Sequence, residues 1–373
     1  MTGTEWALPE YRAHRETAPY LCGMRKVMED RKSVPPQKRV AYLEALRLCA
    51  TLAVIVIHLA ATGYKEAVPE SYEWTVCLIY NTVTRFAVPA FVMISGAMYL
   101  EPARVVTMKQ MLKKAGRIMS VFLCWSLLFA LTESMKDNRF FSADYFCAVA
   151  HRLVRGHYHM WYLYTITGLY LATPFLRVIA AEGKLLETYI MAVFLLNFCL
   201  RIAVWIPGWE KTAEAVLNHA ATGVFTGFTG YYCLGYYLHN REFTKKQVCG
   251  IFLLSLTILA VFLAAGVLLK RPDMAFSEQM PQVFLYSCGV FLLFKTGAKG
   301  LETGRKIVET VIPCTFGIYL IHPVFNFLLR RAGLYALTFD PLLCIPLCAL
   351  LVFGGSLAVI WCMRKIPVLR KLT

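Results

Sequence analysis

Long apolar runs recur along this 373-residue chain, at 43–63, 78–100, 116–133, 160–178, 188–206, 218–238, 248–269, 281–296, 307–329 and 341–363. At a rise of 1.5 Å per helical residue, a run of roughly 18 or more apolar residues crosses the ~30 Å hydrocarbon core of a bilayer. A backbone in lipid must satisfy its own hydrogen bonds, which leaves helices and closed barrels as the spanning structures. Apolar runs of this length predict the first: an all-α, polytopic membrane helix bundle of about ten transmembrane helices. Composition agrees, since only 17% of residues are charged, against about 25% in soluble domains. No internal repeat is visible, and no connection is long enough for a second domain.

Residues 1–40 are polar and basic and contain "KSVPPQKR" but no apolar signal core. They read as a poorly ordered cytoplasmic tail, followed by a membrane domain over 41–365 and a second cytoplasmic tail over 366–373. The longest connection, 134–158, is expected to hold a short interfacial helix. The net charge of +16 would suggest nucleic acid in a soluble protein. Here the cations gather in short connections, as in Lys109, Lys113, Lys114 and Arg117, or Arg241, Lys245 and Lys246, or Arg364, Lys365, Arg370 and Lys371. That is the pattern of cytoplasmic loops. It places both termini inside, with 134–158 as the exception, and it removes the case for nucleic acid. The 13 cysteines are scattered singly and read as small buried hydrophobes. Without HExxH or CxxC spacing no metal is expected.

The first apolar run, "ALRLCATLAVIVIHLA", carries Arg47 and His58. Eleven residues at 100° each make three turns plus about 20°, so the two share a face, about 16 Å apart along the axis. Glu44 and Thr51 fall on the same face. A stripe of this kind faces protein or a cavity, because facing lipid is expensive. Arg47 lies near the inner end, where snorkelling to headgroups would also explain it; His58 lies well inside. Arg85 in "NTVTRFAVPAFVMISGAMYL" and His322 in "FGIYLIHPVF" fall at similar depths, about 8–10 Å from the outer end of their helices. Three costly residues at one level predict a polar cavity in the outer half of the membrane. Pro89 should kink the second segment, and Gly96 after Ser95 permits close approach of a helix or a ligand. His157, His159, Trp161, Tyr162 and Tyr164 crowd the start of "GHYHMWYLYTITGLYLATPFLR". An interfacial belt explains the aromatic residues; the added histidines suggest a sugar-stacking platform.

Together "YLEALRLCATLAVIVIH", "RFAVPAFVMISG", "HMWYLYTITGLYLATP" and "FGIYLIHPVF", in this order over residues 40–365, resemble the acyltransferase 3 family of membrane proteins. Glu44 stands where that family usually has Asp. The likeness is greatest to its O-acetyltransferase branch, which includes the enterobacterial common antigen O-acetyltransferase. The resemblance implies an enzyme of a bacterial plasma (inner) membrane that moves an acyl group, commonly acetyl from acetyl-CoA, to a hydroxyl of a cell-surface glycan or glycolipid. On that reading His58 is the general base, Arg85 stabilises the oxyanion or orients the acceptor, and Arg47 with its partner Glu44 binds the donor. His159, Trp161, Tyr164, His322 and Ser95 are the candidates for holding the acceptor. Acetyl-CoA is a co-substrate, the other partners are the acceptor and membrane lipids, and a homo-oligomer is left open. So is the choice between direct transfer and an acetyl-histidine intermediate. The rival reading is an exporter of a glycan or lipid precursor; the lack of paired inverted repeats counts against it.

Overall fold

The computed structural model describes residues 40–102, 106–134, 143–206, 208–219, 227–297 and 310–373. The expected tail over 1–40 therefore lies outside the described residues except for its last position, as do 135–142 of the long connection. The described residues are helical throughout, without a strand. Apolar runs with few helix breakers, bounded by polar connections, give the expected all-α bundle.

The first helices are α1 (Ala41–Glu66), α2 (Tyr72–Val83), α3 (Ala87–Tyr99), α4 (Met108–Ser134), α5 (Ala143–Arg155) and α6 (Trp161–Ala181). After α7 (Gly183–Val193) the chain continues through a π turn and a 3-10 turn to Trp205. Then come α8 (Glu210–His219), α9 (Gly227–Asn240), α10 (Lys245–Leu268), the single turn α11 (Asp273–Phe276) and α12 (Pro281–Gly297). The last long helices are α13 (Thr315–Arg331) and α14 (Pro341–Lys365), with a 3-10 turn at Leu369–Leu372. The short helix expected in 134–158 is α5. Its Phe146 and Val154 are exposed.

Among the described residues, eight helical stretches rather than ten are long and apolar enough to cross a membrane. The runs at 218–238 and 281–296 reappear as α9 and α12, of 14 and 17 residues. Most of their side chains, including Tyr231, Tyr232, Val283 and Phe291, are buried against other helices. Residues 220–226, ahead of α9, and 298–309, after α12, lie outside the described residues, so only part of each run is described.

Backbone contact decides one close approach. A Cβ at Gly96 of α3 would lie 1.8 Å from Tyr232 O of α9, and one at Gly235 would lie 2.1 Å from Met93 O. The two helices thus touch through their backbones, the usual device where small residues meet inside a membrane. Gly96 serves packing rather than ligand access.

The second span is broken between α2 and α3. Pro89 has no N–H, so the carbonyl of Arg85, four residues earlier, would lack its helical partner. The chain turns just there, with Arg85 N bonded to Thr82 O at 3.2 Å and Ala87 N to Thr84 O at 3.1 Å. The expected kink falls one turn before the proline, and Arg85 sits in it.

Candidate active site

His58 of α1, His322 of α13 and His159, two residues ahead of α6, meet in one cluster. The rings of His58 and His322 stack with centroids 5.1 Å apart and planes 20° apart. His159 stands edge-on to both, at 6.5 Å from His58 and 5.1 Å from His322. Tyr158 closes the other side of His58, edge-on at 5.0 Å. The charge of Arg85 and the rings of His157 and His322 are near enough to act on His58.

A proline sets the orientation of His322. Pro323 lacks the N–H that would bond to Tyr319 O, and His322 Nδ1 takes that carbonyl at 2.7 Å. A carbonyl only accepts, so Nδ1 donates its proton and Nε2 carries the lone pair of the neutral ring. That Nε2 is buried and has no partner, as is Nε2 of His159. Tyr319 also donates its hydroxyl to His159 O, tying the pre-α6 turn to α13. His159 Nδ1 lies 2.8 Å from His157 Nδ1, and His157 Nε2 lies 3.3 Å from Glu133 Oε1. Burial, followed by His322, His157 and His58, holds the His159 imidazole well below its usual range. Buried ring nitrogens without a partner are suited to accepting a hydrogen bond from a donor group.

His58 differs from the other two. His322 is fully buried and His159 is 2% exposed, whereas His58 is half-buried. No side chain among the described residues hydrogen-bonds its ring. It is the least enclosed residue of the three.

Arg85 is held tightly beside the cluster. Nη1 donates to Glu278 Oε1 at 2.7 Å, and Nε and Nη2 donate to Asn81 Oδ1 at 3.0 and 2.6 Å. Its guanidinium also lies 4.9 Å over the Phe276 ring. Arg47, lower on α1, points Nη2 at Met98 Sδ, 3.5 Å away, rather than at Glu44, and its charge reaches Tyr162 and Tyr170. Thr51, buried on the same face, donates to Arg47 O at 2.8 Å. Ser95 donates to Phe91 O at 3.0 Å, and no hydrogen bond joins it to the histidines among the described residues. Trp161 is 40% exposed and Tyr164 42%. Trp161 packs on Phe228, and Tyr164 packs on Phe122 and donates to Val154 O. Neither reaches the imidazole cluster.

Imidazoles, one guanidinium and a tyrosine thus surround His58. Among the described residues, no three His, Cys, Asp or Glu side chains are placed to hold a metal ion. A family model described as an acyltransferase domain matches residues 40–363, most of the chain. The chain belongs to the acyltransferase 3 family. No curated protein and no solved structure matches it.

This membrane acyltransferase thus carries its site on segments far apart in sequence. Glu278, Asn81, Tyr158 and Tyr319 escape sequence reasoning. Glu278 lies in a short polar connection with no periodicity, and Asn81 is a neutral amide inside an apolar run. Tyr319 was within sight, since it precedes His322 by one helical turn and so falls on the same face.

Proposed function

We propose that this acyltransferase moves an acetyl group from cytoplasmic acetyl-CoA to a hydroxyl of a cell-surface glycan or glycolipid, with His58 as the general base. The carrying observation is that His58, the least buried of the three histidines, stacks on His322, whose tautomer is fixed by the carbonyl that Pro323 frees. The acceptor hydroxyl gives its proton to His58 as its oxygen attacks the thioester carbonyl. The C–S bond breaks, and the leaving thiolate takes the proton from His58. Arg85, anchored by Glu278 and Asn81, faces the charge that develops on the carbonyl oxygen. Arg47 and Glu44 lie on the same helix face as His58, about 16 and 21 Å toward the inner end, and line the approach of the donor. His159 and His322 hold the acceptor. The setting is a bacterial plasma membrane, with both termini in the cytoplasm. Support comes from the family, from the lysine and arginine bias, and from three imidazoles brought together from distant segments.

Transfer of radiolabelled acetyl from acetyl-CoA to membrane glycans tests this reading. General base catalysis contributes about 10²–10⁴-fold. His58→Gln retains hydrogen bonding but not proton uptake, so the purified, monodisperse variant should lose turnover in that range while still binding acetyl-CoA. Near-normal transfer by folded His58→Gln refutes the base assignment. Export of an unacetylated precursor by that variant would favour the transporter reading.

A further inference from the structure

At the end of the bundle remote from the histidines, a hollow of about 630 Å³ opens between α4, α14 and the 3-10 turn at Leu369–Leu372. Arg117, Val121, Arg364, Arg370 and Lys371 line it, with no acidic residue among the lining side chains. Among the described residues, none of the four cations pairs with a carboxylate. Arg364 is half-buried and the other three are exposed. Headgroup anchors splay into solvent, yet these four turn toward one space, where like charges repel. The turn that carries two of them is fixed: Trp125 Nε1 donates to Leu372 O at 3.0 Å, and Arg370 N to Ile366 O at 2.9 Å. Three guanidinium forks and an ammonium around a hollow of ligand size suit a compound bearing several phosphates.

One face of α4 joins this hollow to the candidate active site. Arg117, Val121, Trp125 and Phe129 follow one another at intervals of four residues, a spacing that keeps side chains on neighbouring positions of one face. Val121 lines the hollow, Trp125 grips the turn that closes it, and Phe129 stacks on His157 at 4.3 Å and stands edge-on to His159 at 5.7 Å. The rise from Arg117 to Phe129 is about 18 Å. The arm that links the phosphates of coenzyme A to its thioester has a length of the same order.

We infer that the hollow formed by Arg117, Arg364, Arg370 and Lys371 binds the nucleotide phosphates of the coenzyme A donor. This rests on the acyl-CoA reading above. It assigns to the last turn of the chain a part in donor binding, while Arg47, higher in the bundle, meets the uncharged arm.

The test compares wild type with Arg364→Gln/Arg370→Gln and with the milder Lys371→Gln, each purified in nanodiscs. Two charge-assisted contacts are lost in the double variant, so KM for acetyl-CoA should rise about tenfold or more, and less in Lys371→Gln. Adenosine 3′,5′-bisphosphate should compete with acetyl-CoA in wild type and only weakly in the double variant. S-acetylpantetheine, which lacks the phosphates, should serve both at equal rates. Unchanged KM for acetyl-CoA in both variants overturns the inference. So does an unchanged KM with loss of stimulation by phosphatidylglycerol over phosphatidylcholine nanodiscs, which would make the hollow a lipid-headgroup site. Calorimetric binding of the bisphosphate, weakened in the variants but without acetyl-CoA turnover in any protein, would keep the phosphate site and sink the acetyl-CoA reading instead.

Discussion

Glu278→Gln isolates what holds Arg85 in place. The side chains of Arg85 and Glu278 are 14% and 20% exposed and meet at 2.7 Å, and the two bonds to Asn81 Oδ1 engage the rest of the guanidinium. Removing one partner of a buried ion pair leaves a charge without compensation and costs about 3–5 kcal/mol, much more than the pair itself contributes. Here some water reaches both groups and Asn81 still accepts two hydrogen bonds, so Glu278→Gln should cost about 2–3 kcal/mol. Replacing both charges, as in Arg85→Met/Glu278→Gln, removes the desolvation penalty together with the attraction. That variant should lie within about 1 kcal/mol of wild type and so be more stable than Glu278→Gln alone, giving a coupling of at least about 1 kcal/mol in the cycle completed by Arg85→Met. Equilibrium unfolding in mixed micelles of fixed composition measures all the corners. A Glu278→Gln protein within about 0.5 kcal/mol of wild type, or a double variant as unstable as the sum of the singles, would show that Glu278 does not hold the guanidinium.

Gly235→Ala places a methyl group 2.1 Å from Met93 O, so α3 and α9 must separate, and the cost should be about 2 kcal/mol or more. Gly250→Ala, where nothing lies within 4 Å, should be neutral or slightly stabilising; equal midpoints of thermal unfolding for the two variants would contradict the backbone contact. Pro323→Ala restores an N–H that can take Tyr319 O from His322 Nδ1. Transfer should fall about tenfold or more while stability holds or rises, and 15N spectra of the imidazoles should show a changed tautomer for His322. An unchanged spectrum with normal transfer would remove Pro323 from the site.

The helical class and most spans were legible because lipid admits so few backbone structures. Arg47, His58, Arg85 and His322 stood out for a related reason: an ionisable residue inside an apolar run is costly and therefore conspicuous. What sequence could not supply was direction. The aromatic residues opening α6 looked like one platform, yet Trp161 and Tyr164 turn outward while His159 turns in. Ser95 lies one turn beyond Phe91 and bonds back to it, a side chain spent on its own helix. Glu278 was hidden because a carboxylate in a connection is ordinary; only the fold brings it to Arg85. The runs that hold α9 and α12 are continued by residues outside the described ones, and the parts described pack mainly against other helices.

The site gathers where helices are interrupted, and the physics of the bilayer accounts for that. Arg85 stands in the break before Pro89, His159 lies in the turn leading into α6, and His322 takes the carbonyl that Pro323 strips of its partner. Irregular backbone at membrane depth is tolerated only inside protein or beside a polar cavity. Three interruptions scattered among lipid-facing positions would each need a separate remedy. Brought together, they share one polar environment, and each supplies groups that another needs: Tyr319 bonds the backbone of His159, and His322 bonds that of Tyr319. An environment already stabilised for carbonyls and ring nitrogens also suits the hydroxyl-bearing acceptor proposed above. On this argument the prolines are as much a part of the site as the histidines. Their replacement should disturb chemistry before it disturbs folding, the ordering that Pro323→Ala is designed to expose.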